Sequence, residues 1–179
     1  MVLKPAEQTP LSALELAALA EEAGIPRGVL NVVNGRGEEA GAALVAHADV
    51  DKIAFTGSTN VGRIIMKSAA DTLKRVSLEL GGKSPNIVFE DADVEAAARG
   101  AFSGIFYNTG QCCTAGSRLI VHESIKDQML ETLRDRASKL APAEALDPKR
   151  RFGPVVSQDQ MDRVLGYIAK GRADRKSVV

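Results

Sequence analysis

The residues of this chain best suited to chemistry are a thiol and a carboxylate. Cys113 lies in NTGQCCTAGSR, a glycine-punctuated stretch with no bulky neighbour to block the sulfur, and Glu79 lies in LELGGKSP, at the exit of an apolar, alternating run. A cysteine attacks as thiolate, and a helix N-terminus or a nest of backbone N–H groups both lowers its pKa and stabilises the oxyanion formed on attack. Gly110, Gly116 and the small residues around them suit that setting. A carboxylate serves as a general base near neutrality only where its surroundings raise its pKa. Nucleophile and base is the reading this pair suggests, against the plainer one of a buried cysteine and a surface carboxylate at a strand end. Cys112, next to the nucleophile candidate, reads as a small buried hydrophobe.

Composition narrows the possibilities. At 179 residues and 45% hydrophobic content, the chain is long enough for one core or for pieces of two. No apolar stretch approaches the roughly 20 residues of a membrane span, and the opening MVLKPAEQTP lacks the apolar centre of a signal peptide, so no membrane association and a cytoplasmic location are expected. Lysine plus arginine equals aspartate plus glutamate at 23 each, and aromatics are 4%, which argues against a nucleic-acid partner. The adjacent Cys112 and Cys113 cannot staple distant segments, so reduced thiols are expected. His47 and His122 have no cysteine at zinc-ligand spacing, and no metal site is expected.

The elements that must position these groups alternate regularly. Thr9-Pro10 predicts a capped helix start, with Leu11, Leu14 and Ala18 on one face as far as about Ala23. A buried strand is expected over Val29–Val33, a helix over Glu38–Ala46, and a strand over Lys52–Thr56. Ser58 or Thr59 should cap a helix through Ile64, Ile65 and Ala69, followed by a strand over Arg75–Glu79. Strands separated by helices return parallel with right-handed crossovers, so the exits Asn34-Gly35, Gly57-Ser58 and Leu80-Gly81 should share one sheet edge, where open parallel sheets bind ligands. Helices starting after the first two exits would aim unpaired N–H groups at that edge, which suits a phosphate. GRGEEAG alone is a weak signal, equally a tight turn; FTGSTNVG adds a second glycine-bounded strand-to-helix turn, and the two together favour a nucleotide.

A boundary is expected near Gly82. Beyond it come a strand at about Asn86–Phe89, a helix opened by Asp91 or Asp93 and running through Ile105, the Gly110-Gln111 turn, and a strand over Leu119–His122. Ser124 with Asp127 resembles a capping box for a helix carrying Met129, Leu130, Leu133 and Leu140. A polar loop, Pro142 to Pro154, leads to a last helix near Gln158–Lys170.

LELGGKSP and FYNTGQCCTAGS resemble the glutamate and cysteine signatures of the aldehyde dehydrogenase superfamily, and KPAEQTP and FTGST resemble its cofactor-site segments, in the same order and at similar spacing. The resemblance runs from about Val2 to Asp174. Within GQCC it makes Cys113 the nucleophile and Cys112 the variable position. The fold it implies is α/β: a partial Rossmann-like parallel sheet, residues 1–82, followed by the first part of an α/β catalytic domain, residues 83–173. The activity it implies is NAD(P)-dependent oxidation of an aldehyde to a carboxylic acid, in which the Cys113 thiolate forms a thiohemiacetal, hydride passes to the nicotinamide, and Glu79 activates water to hydrolyse the thioester. The backbone N–H of Cys113 would be one oxyanion donor. By the same resemblance Lys4 and Glu7 hold the adenosine ribose; Gly37, Gly41, Phe55, Gly57, Ser58 and Val61 line the adenine and pyrophosphate region; Leu80 and Gly81 lie beside the nicotinamide. A carboxylate at Glu7 would repel a 2′-phosphate, favouring NAD over NADP. Relatives that make acyl-CoA tend to lack a carboxylate at the position of Glu79, so its presence favours hydrolysis.

Family members are much longer than this chain, which therefore reads as an internal fragment of a parent expected to be a homo-oligomer. Absent by comparison are the first strands of the nucleotide sheet, the asparagine supplying the second oxyanion donor, a cofactor-ribose glutamate and the oligomerisation strands. The fragment alone is expected to be inactive. DRKSVV, residues 174–179, departs from the glycine-rich continuation of the family and reads as a non-native tail. The alternatives to this enzyme are a non-catalytic binding or structural relative, which usually loses the nucleophile or base, and a plain nucleotide-binding module, which would have no reason to keep the whole GQCCTAGS string.

Overall fold

The computed structural model describes residues 1–144, 146–148 and 152–174. Of the expected tail, 175–179 lie outside the described residues. The architecture is α/β, in two compact units, Met1–Leu80 and Gly81–Val179.

The first unit runs β1 (Val2–Leu3), α1 (Leu11–Glu22), β2 (Asn31–Val32), a π-turn at Gly37–Gly41 leading into α2 (Ala42–Ala46), β3 (Lys52–Gly57), α3 (Thr59–Ala70) and β4 (Arg75–Leu80). β3 and β4 pair in parallel along their whole length, Lys52 opposite Arg75 and Gly57 opposite Leu80, so both strands end together. The crossover through α3 is what parallel pairing requires. Ser58 starts α3, its Oγ accepting the Val61 N–H at 3.3 Å. Gly62, Ile65 and Ala69 form the buried stripe of α3. The bare Cα of Gly62 allows this packing, since a Cβ there would stand 2.9 Å from Leu80 Cδ2. Burying a side chain such as Ile65 stabilises a fold by about 1.5–3 kcal/mol.

Four expectations for this unit need correction. No ladder joins β2 to β3, so the three expected strands do not form one continuous sheet; β2 pairs instead with β1, Val2 opposite Asn31 and Leu3 opposite Val32. α1 begins after Pro10 with no side-chain cap from Thr9, because Pro10 is itself the capping residue and already helical. The face of α1 that is half-buried carries Ala13, Ala17 and Ala20, whose small side chains permit close approach, whereas Leu11, Leu14 and Ala18 are exposed. The helix expected over Glu38–Ala46 opens as the π-turn, with Arg36 before it in extended conformation.

The second unit runs β5 (Pro85–Val88), α4 (Val94–Phe106), a turn at Tyr107–Gly110, β6 (Arg118–Val121), a single 3-10 turn at Glu123–Ile125, α5 (Lys126–Ser138) and α6 (Gln158–Ala173). β5 and β6 are parallel, Pro85 opposite Arg118 and Val88 opposite Val121, with α4 in the crossover. The core of the unit is Val88, Ala98 and Met129, surrounded by Ala92, Val94, Ala97, Leu119, Val121, Ile125 and Leu133. Asp93 caps α4 by accepting the Ala96 N–H at 3.1 Å, and Ser157 caps α6 through the Gln160 N–H at 3.2 Å. The expected Ser124–Asp127 capping box does not form. His122 Nδ1 instead lies 2.8 Å from Ser124 Oγ and accepts the Ser124 N–H, drawing the serine hydroxyl away from α5.

Candidate functional site

In the first unit, Lys4, Glu7 and Gly41 come together. The Lys4 ammonium donates to the carbonyls of Pro5 (2.7 Å) and Gly35 (2.9 Å) and stands 3.7 Å from Glu7 Oε2. Lysine has three donors, and beyond the two carbonyls the ammonium faces the Glu7 carboxylate. Its side chain is 16% exposed, a group pinned by two carbonyls and a carboxylate. A Cβ on Gly41 would stand 3.6 Å from Lys4 Cδ and Cε, so glycine there leaves space alongside the lysine stem. Glu7 is held below its ordinary 4.5, first by its own backbone N–H and then, against the opposing pull of burial, by the charge of Lys4; it is a carboxylate at neutral pH. An ammonium beside a carboxylate could hold the vicinal hydroxyls of a ribose, each group turning from the other to one hydroxyl.

The parallel exits carry the other residues. Phe55 and Gly57 lie on one face of β3, and the Phe55 ring occupies the space above Gly57: a Cβ there would collide with Cζ and stand 3.0 and 3.2 Å from Cε1 and Cε2. Ser58 and Val61 form the first turn of α3, whose leading N–H groups have no partner inside the helix. Gly37 has open space around its Cα. Leu80 is half-buried against Gly62 and Glu79 is exposed, opposite Thr56 in the β3–β4 register. Gly81 opens the second unit, with nothing within 4 Å of the Cβ it lacks.

Cys113 belongs to the second unit, where it is exposed, while Cys112 is half-buried; both are free thiols. The expectation that Cys112 is a buried hydrophobe is corrected: its Sγ shares a 3.3 Å hydrogen bond with Thr114 Oγ1. That hydroxyl, followed by the Thr114 backbone N–H, pushes the Cys112 thiol below its ordinary 9.0.

The turn before the cysteines is left-handed for three successive residues, Asn108 (φ 48°), Thr109 (φ 59°) and Gly110 (φ 76°). Asn and Gly tolerate this region, but a β-branched threonine does so only at a cost of about 1–3 kcal/mol that the surroundings must hold in place. Thr109 Oγ1 donates to Gly153 O (3.1 Å), and Gln111 Oε1 accepts the Val156 N–H (3.0 Å). Asn108 Nδ2 donates to Gln111 O (3.2 Å). The N-T-G triplet signals a left-handed turn in sequence; the partnership with Gly153 and Val156, more than 40 residues on, has no local signal. Among the described residues, no group of three or more His, Cys, Asp or Glu side chains is arranged to hold a metal ion, and no helix is long and apolar enough to cross a membrane.

The first unit is a parallel α/β scaffold with a glycine-lined strand edge, and the second carries an exposed cysteine on a constrained turn. The profile of the aldehyde dehydrogenase family matches residues 1–179, and the chain belongs to that family. It is 55% identical over 173 residues to an aldehyde dehydrogenase of Davidiella tassiana, covering 96% of this chain and 35% of the relative. It is 50% identical over 175 residues to human retinal dehydrogenase 2, covering 97% and 34%. Among solved structures, the NAD+ complex of an aldehyde dehydrogenase from Bacillus cereus superposes with a TM-score of 0.94 at 53% identity, covering 97% of this chain and 35% of that one. The chain thus spans about a third of the length of the relatives it matches.

Proposed function

We propose that the protein carrying this chain oxidises an aldehyde to a carboxylic acid with NAD, residues 1–82 contributing to the cofactor-binding domain and 83–173 to the catalytic domain. The observation that carries the reading is the family match along the whole chain; the exposure of Cys113 on a pinned turn supports the thiol as the nucleophile that the motif resemblance makes it. The Cys113 thiolate attacks the aldehyde carbon, and the carbonyl π electrons move to oxygen, where the Cys113 backbone N–H meets the developing charge. The bound dinucleotide supplies the acceptor for the hydride that leaves this carbon. Glu79 then takes a proton from water, the hydroxide adds to the resulting thioester, and collapse releases the acid and the Cys113 thiolate.

Lys4 and Glu7 would hold the adenosine ribose, and Gly37, Gly41, Phe55, Gly57, Ser58 and Val61 the adenine and pyrophosphate, with Leu80 and Gly81 beside the nicotinamide. The Lys4 ammonium and the ionised Glu7 beside it fit two ribose hydroxyls, and the Glu7 charge opposes a 2′-phosphate, supporting NAD over NADP. The substrate is a small-molecule aldehyde, and the full-length protein is a homo-oligomer. Activity belongs to that whole protein, and the 179-residue chain alone is inactive: many of its large apolar side chains are exposed, including Leu11, Ile64, Leu73 and Phe89, and loss of a single oxyanion donor costs roughly a hundred- to a thousandfold in turnover.

The test is NADH formation from aldehydes by the purified full-length protein and its Cys113→Ala variant, with the isolated chain alongside. Turnover by the first alone is expected. Equal turnover in the Cys113→Ala protein overturns the role of the thiol, and robust turnover by the isolated chain overturns its inactivity.

A further inference from the structure

The left-handed turn is an expensive way to connect α4 to the cysteines, and the chain spends several polar side chains on holding it. Gln111 is tied at three atoms: its N–H donates to Asn108 O at 3.1 Å, its backbone carbonyl accepts from Asn108 Nδ2, and its side-chain carbonyl accepts the Val156 N–H. Thr109, the residue least suited to its own backbone conformation, reaches Gly153 O with its hydroxyl. The segment on the receiving end is anchored independently. Phe152 packs edge-on against Phe106 with ring centroids 6.2 Å apart, Phe106 in turn lies tilted against Phe102 at 4.6 Å, and the Ala143 N–H donates to Phe152 O.

On the other side of Cys113 the chain is equally constrained. The Ala115 N–H donates to Cys112 O at 3.2 Å and the Ser117 N–H to Ala115 O at 2.8 Å. Cys113 is thus an exposed residue between two fixed stretches of backbone, and the stretch before it is fixed by a segment distant in sequence.

We propose that Thr109 and Gln111 are positioning residues for Cys113, clamping its turn to the strap Phe152–Val156 so that the sulfur and the adjoining backbone N–H groups are held ready for attack. The proposal rests on Cys113 being the nucleophile. Neither residue touches substrate; each acts through the backbone that carries the thiol. Strain of the Thr109 kind persists only where surrounding contacts over-determine it, and the contacts here belong to the strap. Releasing one lets the left-handed turn relax and moves the sulfur.

The experiment uses the full-length protein in a Cys112→Ala background, so that iodoacetamide reports on the remaining thiol of the turn. Thr109→Val keeps the shape and removes the hydroxyl; Thr109→Ser keeps the hydroxyl; Gln111→Leu removes the acceptor for Val156. Alkylation rates are measured across pH, with kcat and KM alongside and thermal melting as the check on folding. Thr109→Val and Gln111→Leu are expected to lower kcat roughly ten- to a hundredfold, the scale of a small misplacement of a reacting group. They should shift or flatten the pH profile of alkylation and leave the KM for NAD within about twofold, a change far smaller than the loss in kcat. Thr109→Ser restores both readouts. Should Thr109→Val not fold, Gln111→Asn, which draws the carbonyl back from Val156, carries the same comparison. Folded variants with wild-type kcat and wild-type alkylation profiles overturn the clamp. Loss of turnover in Cys113→Ala alongside that result confines the failure to the clamp; retained turnover in Cys113→Ala removes the reading on which it rests.

Discussion

Gly57→Ala tests the proposed cofactor edge through a single methyl group. The Cβ of an alanine would collide with Phe55 Cζ and approach Cε1 and Cε2 to 3.0 and 3.2 Å, where carbon atoms ordinarily rest about 3.5–4.0 Å apart. β3 is paired with β4 along its full length, so the backbone has little freedom and the ring must withdraw. Overpacking of this kind costs about 1–3 kcal/mol. If the ring swings into the proposed nucleotide edge, the cost is read as NAD binding weakened roughly fivefold to a hundredfold; if it stays, the same energy is lost from folding stability. Titration calorimetry with NAD and urea unfolding of the full-length protein measure the two shares. Gly104→Ala in α4 is the control: its Cβ meets nothing within 4 Å. It should gain up to about 1 kcal/mol from helix propensity with NAD binding unchanged. A Gly57→Ala protein matching wild type in both affinity and stability would refute the placement of the Phe55 ring and the steric argument built on it.

The other predictions concern caps and protons. Ser58→Ala and Asp93→Ala remove the side-chain caps of α3 and α4, and each should cost about 1 kcal/mol, measured as a lower urea midpoint at unchanged slope. The Glu7 carboxyl is held below its ordinary 4.5, so its stabilising contribution is present above that pH and lost as pH falls through the lowered value. Glu7→Gln should therefore be less stable than wild type at neutral pH, with the gap closing in acid; a gap that does not change with pH contradicts the linkage. Thr114→Val withdraws the hydroxyl that favours the Cys112 thiolate. In a Cys113→Ala background, ultraviolet titration should then show Cys112 ionising at higher pH, nearer 9.0, and an unmoved titration would remove Thr114 as the cause.

Much of the fold was legible because its signals are local. Alternation over Lys52–Thr56 and Arg75–Glu79, with a Ser58 start between them, fixes a strand, helix and parallel strand, and the structure extends these strands only to Gly57 and Leu80. Asp93 and the alanine-rich stretch after it mark α4 in the same way. β1 carried no such signal, since two residues show no period, and it is made a strand by its partner Asn31–Val32. The exposed leucines of α1 misled because apolar side chains name a buried face only where something covers them; the face in use is lined with alanine. The missing capping box reflects competition, the imidazole of His122 taking the hydroxyl that was to have capped α5. At the candidate site, Cys113, Glu79, Lys4 and Glu7 are singled out by the resemblance of their motifs to those of the family, and of these the structure pairs Lys4 with Glu7 at 3.7 Å. The clamp on the cysteine turn could not be read from the sequence, because Thr109 and Gln111 meet Gly153 and Val156 only after the chain has folded.

The proposed division of labour between sulfur and carboxylate is tested most directly by trapping the intermediate between them. Full-length Glu79→Gln protein, mixed rapidly with aldehyde and NAD, should release a burst of NADH stoichiometric with active sites and then nearly stop. Peptide mass spectrometry of the quenched mixture should find the acyl group on Cys113. Undiminished steady turnover in Glu79→Gln, or an acyl group on Cys112 in place of Cys113, would contradict the account.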